Sequence, residues 1–290
     1  MKHIFIVAFT IISITTLGQT NSPVKLNWKI SPNEKLTYLT LMQELSNSSV
    51  DINFGDFFSF LGDSSVKATS AMKDLFKELN KVANDFDHIT TLTNKKNGII
   101  DIEMMSKPKN DSGQTKNKTK DLVNAMQDIN DGIILRGSVY ATGGIHSFWV
   151  RWDQKNLISL FFELPSKPVR IGESWPLDIS LIGNDQNFKC DTSYRLNKVT
   201  FVEIKKVKNE EVAVLKYEIV EYVKGIFNAP GFFSAGKGPI ETMMKFTHQG
   251  LAEFSIDKGR WISYDGLMSL EADGFISADK KTKFSLVEIK

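Results

Sequence analysis

The sequence predicts an α+β protein: a curved, mostly antiparallel β-sheet of long hairpins, with one or two amphipathic helices covering its apolar face. Three observations lead to this prediction. Apolar and polar residues alternate strictly in many short segments, which is the period of a half-buried strand. Short polar turns separate several of these segments, and such turns can join only antiparallel neighbours. Two other segments repeat their apolar residues every three or four positions, as one face of a helix does.

The composition is that of an ordinary globular protein. The 290 residues are 41% hydrophobic and 24% charged, and 36 basic side chains nearly balance 34 acidic ones. A net charge of +2 is too small to indicate nucleic acid binding, which depends on clustered Lys and Arg contacts to phosphate. A chain of this length can bury a core without the help of disulfides.

Residues 1–18 have the layout of a secretory signal peptide: a positive start, an apolar run and a small-residue end at Gly18. The apolar run has about fourteen residues, short of the roughly 20 that span a bilayer, so we predict cleavage before Gln19 rather than a membrane anchor. Cys190 is the only cysteine, which excludes a conventional lipid anchor and an internal disulfide. The protein is therefore predicted to be exported, periplasmic or extracellular, and not lipid-anchored, with no membrane span after cleavage.

Residues 19–290 are predicted to form a single β-rich domain, because no Pro- or Ser-rich linker divides them. The runner-up is two smaller sheet units that meet near residues 165–175. The first strand is residues 24–30, which place Val24 and Trp28 on one face. Alternation indicates further strands at residues 100–104, 148–152, 158–164, 215–219 and 262–270.

Helical insertions are predicted at residues 64–86 and 119–130. The apolar face of the first carries Met72, Leu75, Phe76, Leu79, Val82 and Phe86, and that of the second carries Leu122, Val123, Met126 and Ile129. An exposed apolar sheet face would meet water, so we expect the first helix to cover it.

Polar turns are predicted at residues 94–98, 153–156, 208–210, 257–259 and 279–281. Asp257-Lys258-Gly259 fits a type I turn followed by a left-handed glycine, which makes residues 254–264 the most secure hairpin.

Motifs for catalysis and cofactor binding are missing from the sequence. His88, His146 and His248 stand far apart and outside metal-ligand spacings, so neither a metal nor a cofactor is predicted. The Gly-x-Ser-x-Gly elbow and the Walker loop are absent. A hydrolase is left open only through paired carboxylates, which are defined by their separation in space. The acids that could meet are Asp51, Asp56, Glu103, Glu163, Glu173 and Asp178.

The twenty phenylalanines are the most informative feature, because several of them are bunched. One bunch lies in residues 51–60, and another lies in residues 225–239 among four glycines and two prolines. Such a segment tucks over the core, forms a lid on an apolar cavity, or contacts a membrane or partner. The predicted ligand-binding residues are Phe57, Phe58, Phe76, Phe227, Phe232 and Phe233.

Residues 164–175 carry the pattern LP-x-x-x-V-x-x-G-x-x-W, and residues 250–259 carry G-x-x-x-F-x-x-x-x-G. Both resemble elements of a domain family of unknown function in exported Gram-negative proteins of the Bacteroidota type. The likeness covers roughly residues 155–290, with a weaker echo at residues 26–45, and contains no catalytic signature. In residues 165–175, two prolines force an extended path and Gly172 permits a turn that returns Trp175 to the sheet.

At the level of fold, the chain is also similar to the lipoprotein-localisation-factor class of periplasmic proteins, in which a curved antiparallel sheet wraps helices around an apolar cavity. That likeness implies a carrier of lipid or acylated protein, by fold analogy alone. The resulting expectation is an exported, non-enzymatic envelope protein that carries or senses a hydrophobic lipid or acyl ligand. The alternatives are an envelope scaffold or protein-interaction module without a small ligand, and a carboxylate-dependent hydrolase.

Overall fold

The computed structural model describes residues 22–45, 50–52, 86–95, 98–108, 132–149, 152–180, 182, 188–228 and 239–289. One helix, α1 (Trp152–Phe162), and twelve strands lie in these ranges. The strands are β1 (Lys35–Glu44), β2 (Val50–Ile52), β3 (Phe86–Lys95), β4 (Ile99–Pro108), β5 (Ile133–Tyr140), β6 (Ile145–Phe148), β7 (Ser174–Trp175), β8 (Phe188–Val207), β9 (Glu210–Phe227), β10 (Ile240–Ser255), β11 (Arg260–Asp273) and β12 (Ile276–Ile289).

All twelve strands belong to one sheet, whose main path runs β6-β5-β4-β3-β1-β12-β11-β10-β9-β8-β7, with β2 paired to β12. The strand pairs are antiparallel. Two meanders, β3–β6 and β7–β12, are joined by β1, which pairs with β3 on one side and β12 on the other. In the described chain the two meanders therefore meet at β1 within a single sheet.

Several hairpins follow the turn chemistry of the sequence. Lys208 and Asn209 have φ angles of 49° and 67° and join β8 to β9, as a two-residue hairpin turn requires. Gly259 has a φ of 60° and ends the turn between β10 and β11, which confirms the hairpin predicted at residues 254–264. The turn predicted at residues 279–281 is wrong, because these residues lie inside β12.

Helix α1 replaces two strands and a turn that the sequence analysis predicted between residues 148 and 164. Its second half buries Ile158, Ser159, Leu160, Phe161 and Phe162 in succession. A helix that is buried nearly all round lacks the three-and-four spacing of an amphipathic one. In a short, continuous apolar run, the spacing of the apolar residues therefore does not show whether the run is a helix or a strand.

The prediction of an α+β fold with amphipathic helices over the sheet is wrong, since the described chain is nearly all strand. The inner face of the sheet carries Leu215, Tyr264 and Leu286. It forms the core together with α1 and with two extended segments, one before β1 and one directly after α1. The helices predicted at residues 64–86 and 119–130 lie outside the described residues, except for Phe86, which begins β3. Residues 1–18 also lie outside them.

The two extended segments are residues 22–34 and 163–180. The first was predicted as a strand, and its alternation is correct in that Leu26, Trp28 and Ile30 are buried. It forms no ladder, however, and joins the second segment through a single bridge between Val24 and Val169. In the second segment Gly172 has a φ of 87°, and the turn that it permits brings Trp175 into β7 beside β8.

The last carbonyls of α1 receive hydrogen bonds from three buried side chains. The pairs are Trp28 Nε1 to Phe162 O (3.0 Å), Trp261 Nε1 to Phe161 O (2.8 Å) and Tyr264 Oη to Leu160 O (3.3 Å). Helix C-termini leave four carbonyls without helical partners, and burying them unpaired is costly. These bonds therefore allow the helix to end inside the core.

Within the described ranges, α1 is far too short to cross a bilayer, and no helix there combines the length and hydropathy of a membrane span.

Replacing Gly143 by Ala should destabilise the protein by about 2–4 kcal/mol, because the new methyl is both strained and crowded. Gly143 has a φ of 94°, and a Cβ there would lie 2.8 Å from the backbone N of Leu164, just beyond α1. The matched control is Gly144→Ala, whose Cβ would meet only Tyr140 at 3.8 Å. Urea denaturation of both variants measures the difference, and equal stabilities would contradict the argument.

Candidate functional site

Of the six phenylalanines predicted to bind a ligand, one lies among the described residues. Phe227 ends β9, is half-buried, and stacks on Phe275 with ring centroids 4.3 Å apart. That contact is typical of a packed strand end. Phe57, Phe58, Phe76, Phe232 and Phe233 lie outside the described residues, so the prediction for those five stays untested.

The space between α1 and the sheet is filled with aromatic side chains. Phe161 stacks on Phe284 with centroids 4.1 Å apart, and its ring meets that of Tyr264 edge-on at 5.7 Å. Trp28 packs edge-on against Phe254 and Trp261 at 5.5 and 5.9 Å. Among the described residues, these rings therefore occupy the space beside the end of α1.

A buried histidine lies beside this aromatic core. His248 Nε2 lies 2.9 Å from Tyr264 Oη, and since that hydroxyl donates to a carbonyl of α1, the network assigns the proton to Nε2. Gly266 leaves room for the ring, because a Cβ there would lie 2.7 Å from His248 Cε1. His248 Nδ1 has no hydrogen-bond partner among the described residues. Burial lowers the pKa of His248 to about 4, so the imidazole is neutral at ordinary pH.

Two of the candidate carboxylates lie together. Glu163 Oε2 accepts hydrogen bonds from the Ser159 hydroxyl and, at 3.0 Å, from the backbone N of Asp178. Asp178 in turn pairs with Lys155 at 2.7 Å. Burial raises the pKa of the Glu163 carboxyl, against the effect of its hydrogen bonds. Because these contacts tie the end of α1 to the segment after β7, they indicate a structural role.

Two of the other candidate acids are paired elsewhere, since Glu103 binds Arg136 and Glu173 binds Arg170. The Asp51 side chain and Asp56 lie outside the described part of the chain. Within the described ranges no three His, Cys, Asp or Glu side chains are grouped closely enough to hold a metal ion.

The outer face of the sheet, opposite α1, carries a shallow groove of about 590 Å³ across β9, β10, β11 and β12. Leu45, Leu251 and Leu267 supply its apolar side chains, and Leu251 is 55% exposed. Gly250 and Gly266 lie directly opposite each other beneath it, and a Cβ at either would point to the inner face, towards His248. The exposed leucine side chains of the groove form a concave apolar surface, which suits a hydrophobic ligand.

Charged groups flank these leucines. Lys216 Nζ is 2.8 Å from Glu218 Oε1, and Asp265 accepts a hydrogen bond from Ser285 at 2.5 Å. Lys283 also lines the groove and is exposed. No ion pair engages Lys283 within the described part of the chain. It is therefore the charge in the groove that a ligand can neutralise.

The sequence analysis missed the groove, although the sequence contains a signal for it. In the segments of β10 and β11, Leu251 is followed by Ala252 and Leu267 by Met268. Two consecutive apolar residues in a strand place one of them on each face. The placement of Leu251 beside Leu267, in contrast, depends on the register between strands, which neither segment encodes alone.

No family model matches this chain, and comparisons with curated proteins and with solved structures likewise find no match. The resemblance to exported Gram-negative proteins and to the lipoprotein-localisation-factor class therefore stays a prediction. The groove on the outer face is the feature of the described chain that bears on function.

Below pH 6.5 the protein should lose stability as the pH falls towards 4, because His248 accepts a proton only when unfolded. Its pKa is about 4 when folded and about 6.5 when unfolded, so the loss approaches ~3 kcal/mol in total. Denaturation curves at several pH values, compared with those of His248→Asn, isolate this contribution. The pKa of Glu163 is raised in the folded protein, so its ionisation destabilises the protein as the pH rises above 4.5. Glu163 is present in both proteins, so this contribution cancels in the comparison.

An NMR titration of the His248 ring in the folded wild-type protein serves as the control, since it does not depend on the variant folding. A ring that titrates near pH 6.5 would contradict the assignment.

Proposed function

We propose that this protein is an exported, non-enzymatic binding protein that binds an amphiphile, an apolar chain with an acidic head group, in the groove on the outer face of its sheet. The observation that carries the proposal is the exposure of Leu251 beside Leu45 and Leu267 in the groove. The signal-like sequence of residues 1–18 supports export.

The exposed leucines of the groove favour a ligand with an apolar part. A leucine side chain gains about 1.5–3 kcal/mol when it moves fully from water to an apolar surrounding. Leu251 obtains little of this gain in the folded chain, because more than half of it stays in water. An alkyl chain in a groove of about 590 Å³ would cover it and the neighbouring leucines.

The charged side chains of the groove favour a ligand with an acidic head group. Lys216 and Asp265 already have partners within the fold, whereas Lys283 projects from β12 at the edge of the groove. A carboxylate or phosphate next to Lys283 would gain a charge-assisted hydrogen bond. The contribution should be modest and sensitive to salt, because Lys283 is exposed.

A protein-interaction module is the second candidate, favoured by a further group of apolar side chains on the same face. Leu41, Val287 and Ile289 are exposed where β1 and β12 pair. Exposed apolar side chains in contiguous positions mark interaction sites more often than isolated ones do. This candidate predicts a stable complex and no amphiphile in the groove.

Leu251→Asp should weaken binding of 11-(dansylamino)undecanoic acid about tenfold or more, because it removes apolar contact and adds a charge that repels the head group. Fluorescence titration of the purified mature protein measures this change. The control is Val202→Asp in β8, which is 41% exposed and lies outside the groove lining. Wild-type affinity in Leu251→Asp, or no binding by the wild type, would refute the proposal.

Lys283→Gln should weaken binding of the same acid about threefold at low salt and leave binding of its methyl ester unchanged, since the exposed lysine contributes through its charge. Comparing the acid with the ester at two salt concentrations tests the head-group assignment separately from the leucines. Equal effects on acid and ester would show that Lys283 acts through packing rather than charge.

A further inference from the structure

A second depression, also of about 590 Å³, lies at the other end of the outer face. It crosses β1, β3, β4 and β5 and reaches the end of β6, so it belongs to the other meander and shares no lining residue with the groove. Its lining is mixed: hydroxyl groups and charged groups surround an indole. The side chains that matter for the argument are Thr91, Thr93, Glu103, Arg136 and Trp149.

Trp149 provides a flat apolar surface in an otherwise polar pocket. It follows β6 and is 44% exposed, which is unusual for so large an apolar side chain. Its backbone N donates to Arg136 O at 3.0 Å, and the Arg136 guanidinium carbon lies 5.7 Å from the ring centroid. These contacts hold the indole in place while leaving much of it open to solvent.

Four of the five charged groups of the pocket are paired with each other. Arg136 Nε and Nη2 both donate to Glu103 Oε2, at 3.2 and 2.6 Å, and Lys95 forms an ion pair with Asp101. A pocket in which two of the three cations already have partners, with Lys35 as the third, is not built as a simple anion site. It presents carboxylate acceptors and guanidinium donors in fixed directions.

The hydroxyl groups complete this arrangement. Thr91 and Thr93 stand two residues apart on β3, on the same face, and both line the pocket. A ligand that uses every part of this surface has many hydroxyl groups and one apolar face. The ligand should also have a small net charge, because the charges of the pocket nearly balance. The pocket has three cationic and two acidic side chains: Lys35, Lys95, Arg136, Asp101 and Glu103.

We propose that this pocket binds a neutral saccharide. The C–H face of a pyranose ring packs against the Trp149 indole, whose face is negative and attracts the weakly positive C–H groups. The ring hydroxyls donate to Glu103 and accept from Arg136, and they exchange hydrogen bonds with the threonines. The site is separate from the amphiphile groove and does not depend on it.

The experiment is isothermal titration of the purified mature protein with maltotetraose, cellotetraose and chitotetraose, each to about 10 mM, which detects dissociation constants into the millimolar range. At least one tetrasaccharide should bind. Trp149→Ala should weaken that binding about tenfold or more, and Trp149→Phe should retain most of it, because a phenyl ring still offers a stacking face.

Two controls make the result specific. Tyr194→Ala removes another exposed aromatic residue, 57% accessible in β8, and should leave saccharide binding unchanged. Leu251→Asp should also leave it unchanged, which separates failure of this site from failure of the groove. Far-UV circular dichroism confirms that the variants are folded.

Three results would overturn the proposal. The first is the failure of all three tetrasaccharides to bind, and the second is wild-type affinity in Trp149→Ala. The third is binding of inorganic phosphate that competes with the saccharide and is lost in Arg136→Gln but not in Trp149→Ala. That last result would assign the pocket to anions.

Discussion

The structure depends on the way the C-terminus of α1 is buried. Its last carbonyls accept hydrogen bonds from Trp28, Trp261 and Tyr264, which come from the N-terminal segment and from the β10–β11 hairpin region of the sheet. An unpaired carbonyl in this dry position would cost more than a surface hydrogen bond gains. The same aromatic rings fill the space around the helix. Among the described residues, these side chains therefore both fix the end of α1 and fill the inner face around it.

The position of β1 sets a second constraint. The first strand of the described chain pairs with the last, for example Thr37 with Ile289, and also with β3. Neither meander is joined to the other until β1 has been added between them. Contacts so distant in sequence carry a large loop-closure cost. The described sheet is consequently a product of strands from both ends of the chain.

The sequence predicted local geometry well and long-range pairing poorly. Gly259 and Gly172 have the left-handed backbone angles that their turns were expected to need, because turn chemistry is local. Residues 24–30 have the predicted buried face but no ladder, since alternation reports burial and not pairing. Helix α1 was predicted as strand because its buried half is apolar at every position but Ser159, including Phe161 and Phe162. The groove could not be predicted, because the placement of Leu251 beside Leu267 arises from the register between strands.

The exposed leucines of the outer face are better explained by function than by folding. The edges of the sheet are protected against association: β6 has four residues, and β8 carries a bulge between Cys190 and Thr192 among charged side chains. The face is not protected in this way. Leu251 and Leu267 stand where an antiparallel sheet ordinarily presents polar residues to water. They add little to stability and expose the chain to aggregation. The edges of the described sheet limit association, but leucines remain at the centre of its outer face, and the proposed ligand groove gives those leucines a role.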